Sequence, residues 1–261
     1  MTYFGFLLRF IGIPLLILAV LTWRDWRRGR HLPPRLSGVP ARWVLLAHVA
    51  AAVIWTTPWD NYLVATGVWY YDPQRVTGIT LGWVPIEEYT FFVVQTLLTG
   101  LWLLWLARRL DGRRPTVDRS WPMFSARNRI AGAVAGTIWL ASTLPAILGW
   151  RPGNYLALEV GWLVPPIILQ LVVGAERLWH ERRLVAAGLI PPVLYLAAAD
   201  SIAIAAGTWT IAPDQTTGLL IGGLLPIEEA LFFLLTNTLI VFGMILVLSA
   251  GHPRMATRIH E

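Results

Sequence analysis

The sequence predicts an all-α membrane protein of seven transmembrane helices, built as two parallel three-helix repeats joined by a linking helix. Three observations predict it. The 261 residues are 56% hydrophobic and 14% charged, where a soluble domain carries roughly 25% charged residues. Seven apolar runs of membrane-crossing length fill the chain, each span needing about 20 apolar residues, so no second domain has room beside them. And a residue pattern beginning at Asp60 returns at Asp200. There is no Cys and no Lys among the residues. Disulfides, thiolate metal sites and cysteine nucleophiles are thereby excluded.

The spans follow in order as Tyr3–Trp23, Trp43–Trp59, Val84–Ala107, Ile130–Gly149, Tyr155–Ala175, Leu184–Ala206 and Leu219–Ala250. The net charge of +6 comes from Arg, and its placement is a topology signal rather than a nucleic-acid patch. Residues 24–42 hold six Arg, 108–129 hold seven, Arg177, Arg182 and Arg183 follow the fifth span, and Arg254 and Arg258 follow the seventh. The loops on the opposite side hold only Arg75 and Arg151. Arg-rich loops stay cytoplasmic, so the N-terminus is expected outside and the C-terminus in the cytoplasm. The first span lacks a basic n-region and six spans follow it, which is unlike a cleaved signal peptide.

The internal repeat is the most informative feature. Asp60, Ala65, Gly67, Trp69, Pro73, Thr77 and Gly78 recur 140 residues later as Asp200, Ala205, Gly207, Trp209, Pro213, Thr217 and Gly218. After one inserted residue, Gly82, Pro85, Ile86, Glu87, Glu88, Phe91 and Phe92 recur as Gly223, Pro226, Ile227, Glu228, Glu229, Phe232 and Phe233. The first and fifth spans match only through Pro14 and Pro165-Pro166. Three spans end on the opposite side from where they begin, and span 4 returns the chain for a second copy in the same orientation. The repeats are therefore parallel about an axis near the membrane normal. Residues 1–110 form the first repeat, 111–152 the linker and connecting helix, and 153–261 the second repeat.

Acidic residues recur at the repeat motifs. Asp200 lies 17 residues past Arg183, about 25 Å above the cytoplasmic edge at ~1.5 Å per residue. Asp60 and the two Glu pairs fall at a similar height in the outer bilayer. Pro followed by Glu is an ordinary helix start, but two copies, each with an Asp on the preceding helix, point to a site, since ionisable groups in spans are costly and usually functional. The flanks Ile202–Ile211 and Leu219–Leu225 read as non-helical or short helical pieces dipping into the outer leaflet. Glu88, Phe92, Gln95 and Thr99 share a face expected to look into the bundle. Trp59, Trp69, Trp209, Phe91, Phe92, Phe232 and Phe233 crowd the same level. An interfacial aromatic belt accounts for many Trp, while aromatic faces also stabilise a cation. Glu159 and Arg9 occupy roughly matching places and are expected to form an ion pair. The scattered His form no metal-ligand pattern.

At these residues the sequence resembles a known family. Thr57-Pro58-Trp59-Asp60-Asn61-Tyr62, with Gly82-Trp83-Val84-Pro85-Ile86-Glu87-Glu88-Tyr89-Thr90-Phe91-Phe92 and Gln95-Thr96, is similar to the membrane-integral lycopene cyclase domain, and Leu225-Pro226-Ile227-Glu228-Glu229-Ala230-Leu231-Phe232-Phe233 to its partner domain. The two-repeat plan resembles the fused form over essentially the whole chain. Ala230 stands where the first copy has Tyr89, so the halves are expected to differ in role. The resemblance implies acid-catalysed cyclisation of the linear ends of lycopene, a substrate taken from the bilayer, to a ring-ended carotenoid such as β-carotene by way of γ-carotene. It implies Glu87, Glu88, Glu228, Glu229, Asp60 and Asp200 as the acid–base set and the aromatics as the substrate-binding set. The second Glu pair, with the more apolar neighbours Ala230, Ile211 and Leu225, is expected to donate the proton. No metal and no cofactor are expected, for no nucleotide-binding fingerprint is present and the reaction is redox-neutral. Competing readings are a carotenoid hydratase or C50 carotenoid cyclase of the same superfamily, and a proton-coupled transporter. A retinal protein is excluded by the lack of Lys for a Schiff base.

Overall fold

A computed structural model describes residues 1–110 and 125–250. Arg113, Arg114 and Arg119 of the second Arg-rich loop, and Arg254 and Arg258, lie outside the described residues, as do parts of the expected linker and second repeat. The main helices are α1 (Tyr3–Arg27, containing a π-helical turn at Leu7–Gly12), α2 (Ala41–Ala65), α3 (Ile86–Leu110), α4 (Ala126–Ile147), α5 (Asn154–His180), α6 (Arg182–Ala205) and α7 (Ile227–Leu248). Among the described residues six of these, all but α4, are long and apolar enough to cross a membrane. Helix α4, of 22 residues, stands where the fourth span was expected. Outward faces carry exposed Leu16, Ile54, Ile138 and Leu194.

Helix α2 extends past its apolar run to take in Asp60, while α6 carries Asp200 within its run. The segments that follow are strands. β1 (Trp69–Tyr71), β2 (Thr80–Leu81) and β3 (Val84–Pro85) belong to the first repeat; β4 (Trp209–Ile211), β5 (Leu220–Ile221) and β6 (Leu225–Pro226) belong to the second. The expected seventh span from Leu219 therefore begins later, at Ile227, because Leu219–Leu225 turns in a hairpin instead of adding helix. An apolar run alone does not distinguish the two. The inserted residue of the second repeat also falls here. β2 and β3 are joined across Gly82-Trp83, β5 and β6 across residues 222–224. Gly82, Gly222 and Gly223 all adopt positive φ, as tight hairpins require.

The repeats meet about a local twofold axis. β1 and β4 pair antiparallel with Tyr70 opposite Thr210, the matching residues of the two copies. Phe91 and Phe232, again matching, stack at 6.5 Å between ring centroids. One turn deeper, Gln95 Nε2 donates to Thr236 Oγ1 at 3.1 Å, a third matching pair. One self-matching pair between the strands and two in succession on α3 and α7 place the axis between these helices, as parallel repeats require. Reciprocal straps flank it outside: Arg75 Nη1 donates to Ala206 O, and Gln215 Nε2 donates to Thr66 O and Gly67 O.

Prolines inside the helices free backbone carbonyls, which must be satisfied within the protein because lipid offers no donor. Tyr195 OH donates to Phe10 O, four residues before Pro14; Trp139 Nε1 to Gly161 O, four before Pro165; Trp102 Nε1 to Ala187 O, four before Pro191. These aromatics therefore act as interhelical donors. At the Arg-rich end Arg109 grips Asp25 with two bonds of 2.6 and 2.9 Å, tying α1 to α3. Arg35 Nε donates to Glu181 Oε1 at 2.7 Å.

Candidate active site

Pro85 and Pro226 close the hairpins and open α3 and α7, so both Glu pairs fall in the first helical turn. Adjacent positions on a helix point about 100° apart, and the two members of each pair part company accordingly. Glu87 Oε1 accepts from Thr77 N at 2.6 Å; Glu228 Oε1 accepts from Thr217 N at 2.7 Å and Thr217 Oγ1 at 2.8 Å. These two carboxyls anchor the loops that cover the helix starts. Glu88 and Glu229 instead face one shared cavity. Both pairs are buried.

The cavity of about 30 Å³ lies between the repeats. Glu88 and Glu229 enter it from α3 and α7, and Asp200 from α6. Glu88 Oε2 accepts from Tyr3 OH at 2.6 Å and Tyr71 OH at 3.0 Å. Glu229 Oε1 accepts from Tyr155 OH at 2.7 Å. Tyr71 has no counterpart phenol, since Ile211 fills its place. Asp200 Oδ1 accepts from Trp209 Nε1 at 3.0 Å. Its match Asp60 is buried with neither oxygen bonded, and lies beside the cavity rather than on its wall.

Aromatic rings and Leu196 form the rest of the wall. Phe91, Phe232, Phe233, Trp69 and Trp209 line it with Tyr3, Phe6 and Tyr71. Phe232 and Phe233 meet edge to face at 5.3 Å. Trp59 stands one layer back, stacked on Phe232 at 5.9 Å. Phe92 points elsewhere: it packs against Tyr89 and lines a second, deeper cavity. Tyr89 itself pins the first hairpin, donating to Leu81 O at 2.9 Å and accepting from Asn61 Nδ2 at 2.9 Å. That bracing explains its replacement by Ala230, for Ser201 stands in place of Asn61 in the second copy and bonds back to Ala197 O. Among the described residues no group of three or more His, Cys, Asp or Glu is arranged to hold a metal.

Glu159 is not paired with Arg9: its oxygens have no partner, and Arg9 is exposed. The register explains it. Tyr3 and Tyr155 make matching bonds and stand 152 residues apart, as do Pro14 and Pro166, so the position matching Glu159 is Leu7, while Arg9 matches Gly161 on another face. Beyond Ala205 the flanking segments are non-helical, one of the two forms expected: a strand at Trp209–Ile211 and a hairpin of Leu220–Ile221 with Leu225–Pro226. Tyr3 and Tyr155 were missed from the sequence, although each stands 11 residues before a proline of its span, a spacing that signals the match.

The family model for lycopene cyclase matches residues 1–106 and 154–247. A lycopene beta-cyclase of Halobacterium salinarum is 41% identical over 246 residues, 94% of this chain and 95% of that protein. Bifunctional lycopene cyclase/phytoene synthases of Podospora anserina and Phaeosphaeria nodorum are 36% and 37% identical, each over 75% of this chain and about a third of the fungal protein. No solved structure matches. Matched across both repeats, the chain belongs to the lycopene cyclase family.

Proposed function

We propose that this protein closes the linear ends of lycopene into rings by proton transfer alone, giving β-ring carotenoids. The observation that carries the reading is the convergence of Glu88 and Glu229, one from each repeat, on a single aromatic-lined cavity. The relatives' names, lycopene beta-cyclase, supply the substrate and the ring type.

Glu229 is the proton donor and Glu88 the base. Each hydrogen bond accepted by a carboxylate stabilises its charge. Glu88 accepts two phenolic bonds and Glu229 one, so Glu88 is better equipped to carry negative charge. Glu229 delivers its proton to the terminal double bond, leaving a tertiary cation. The next double bond attacks that carbon, forming the ring bond and moving the positive charge onto the ring. Glu88 removes a proton from the adjoining ring carbon, restoring a double bond. One proton enters and one leaves, so the formula is unchanged and no redox cofactor is needed. The faces of Phe91, Phe232, Phe233 and Trp209 stabilise the travelling cation. Their bulk excludes the water that would trap it as an alcohol.

Glu229→Gln retains size and removes the acid. In lycopene-accumulating cells the wild-type chain should yield ring-ended carotenoid, and Glu229→Gln should lower turnover by about 10²–10⁴-fold, the usual worth of a general acid. Unchanged turnover in a stably inserted Glu229→Gln protein would overturn the assignment.

A further inference from the structure

Beneath the acid cavity lies a second one of about 430 Å³, between α2 and α5 and walled on the inside by α3 and α7. His48, Ala52, Phe92, Gln170, Phe232 and Thr236 are among its lining residues, and no Asp, Glu or Arg lines it. Phe232 belongs to both cavities, standing as the partition between them. The wall runs from Thr56 to His48 along α2 and from Phe232 to Ile240 along α7. Each stretch spans eight residue steps, or about 12 Å of helix. Its rim carries exposed Ile54 and Trp55, so it opens sideways on the surface that lipid covers.

The acid cavity, at about 30 Å³, has room for one or two waters and none for a long hydrocarbon. The larger cavity falls in the usual range for ligand sites, about 300–1,000 Å³. We propose that this groove is the seat of the substrate's polyene arm and its lateral entrance from the bilayer, with Phe232 turning aside to admit the reacting end to Glu229. The proposal rests on the cyclase reading. A neutral apolar trough suits an uncharged hydrocarbon. His48, Gln170 and the Gln95–Thr236 pair set a polar floor at its deep end. At the matching α1–α6 interface the places of Leu163, Gln170 and Thr56 are taken by Ile11, Leu18 and Leu196, all buried in the core. The groove is thus a feature of one repeat interface and breaks the twofold symmetry of the site.

The test fills the groove stepwise. Ala52→Leu and Ala52→Trp narrow its wall, and Leu46→Trp adds the same bulk on the exposed, lipid-facing side of α2. Each protein is purified into liposomes, with thermal unfolding measured to confirm folding, and lycopene turnover is recorded. In parallel, lycopene binding is measured in the acid-dead Glu229→Gln background. The expected result is a graded loss: KM and the binding constant weaken several-fold for Ala52→Leu and tenfold or more for Ala52→Trp, while Leu46→Trp matches wild type. Wild-type KM and binding in a folded Ala52→Trp protein would overturn the proposal and leave the cyclase reading intact, and would mean that the groove holds a lipid acyl chain instead. If the wild-type chain binds lycopene with the same graded sensitivity but leaves it unchanged, the groove assignment holds and the cyclase reading fails.

Discussion

Glu228 and Glu229 are neighbours in the chain and divide two kinds of work. Glu228 spends one oxygen on Thr217, from both its backbone N–H and its hydroxyl, and so holds down the loop over the helix start. Glu229 faces the cavity. Gln at 228 keeps an acceptor oxygen for Thr217. Glu228→Gln should therefore retain turnover within about tenfold, costing roughly 1 kcal/mol of stability for the weakened bonds, a small loss beside that of Glu229→Gln. Turnover assays and melting curves on the two variants, side by side, check this; a Glu228→Gln loss equal to that of Glu229→Gln would contradict it. The motif made all six carboxyls legible in the sequence. Helical phase put Glu88 on the face toward the bundle, where it meets the cavity; the loop-anchoring of Glu87 and Glu228 was not legible, because their partners Thr77 and Thr217 lie in loops whose path the sequence leaves open. Tyr3 and Tyr155 escaped notice because the first helices repeat at a different spacing from the motifs, the connection after Arg27 being 12 residues longer than the one after His180.

Among the elements, six of the helices were legible from apolar runs and Arg spacing, and a 22-residue helix fills the place read as the fourth span. The hairpins were not, since Leu219–Leu225 is as apolar as a span and only its glycines distinguish it. The prolines were visible, but their consequences lay in partners distant in sequence. Trp102 serves Ala187 O across 85 residues. Trp102→Phe should leave that carbonyl unpaired in a dry interface at a cost of about 1–3 kcal/mol, lowering Tm by several degrees. Trp23→Phe, at an exposed position, should leave Tm unchanged. Thermal unfolding in detergent measures both, and equal Tm values for the two variants would remove the carbonyl-pairing account.

On the scale of the whole molecule, the twofold relation was readable from the 140-residue recurrence, and the axis itself appears in the self-matching pairs Tyr70–Thr210, Phe91–Phe232 and Gln95–Thr236. A parallel repeat requires an odd number of connecting spans, which fixes both repeats with their Glu pairs on the same side. We propose that this side is the outer one, from the Arg asymmetry. Reporter fusions should place residues 24–42 and 176–183 in the cytoplasm and the β2–β3 and β5–β6 hairpins outside; the reverse pattern would invert the proposed orientation without disturbing the site.

The central claim is proton-driven ring closure between two carboxyls in a water-poor cavity. It is tested most directly by incubating the purified protein with lycopene in heavy water, without flavin or nicotinamide, and measuring product mass. The donor carboxyl exchanges with solvent and passes deuterium to the carbon first protonated. The account predicts a ring-ended product carrying one deuterium per ring and no added oxygen, and in ordinary water a product of the same mass as the substrate. An oxygenated product, or conversion only with a reduced flavin, would contradict it.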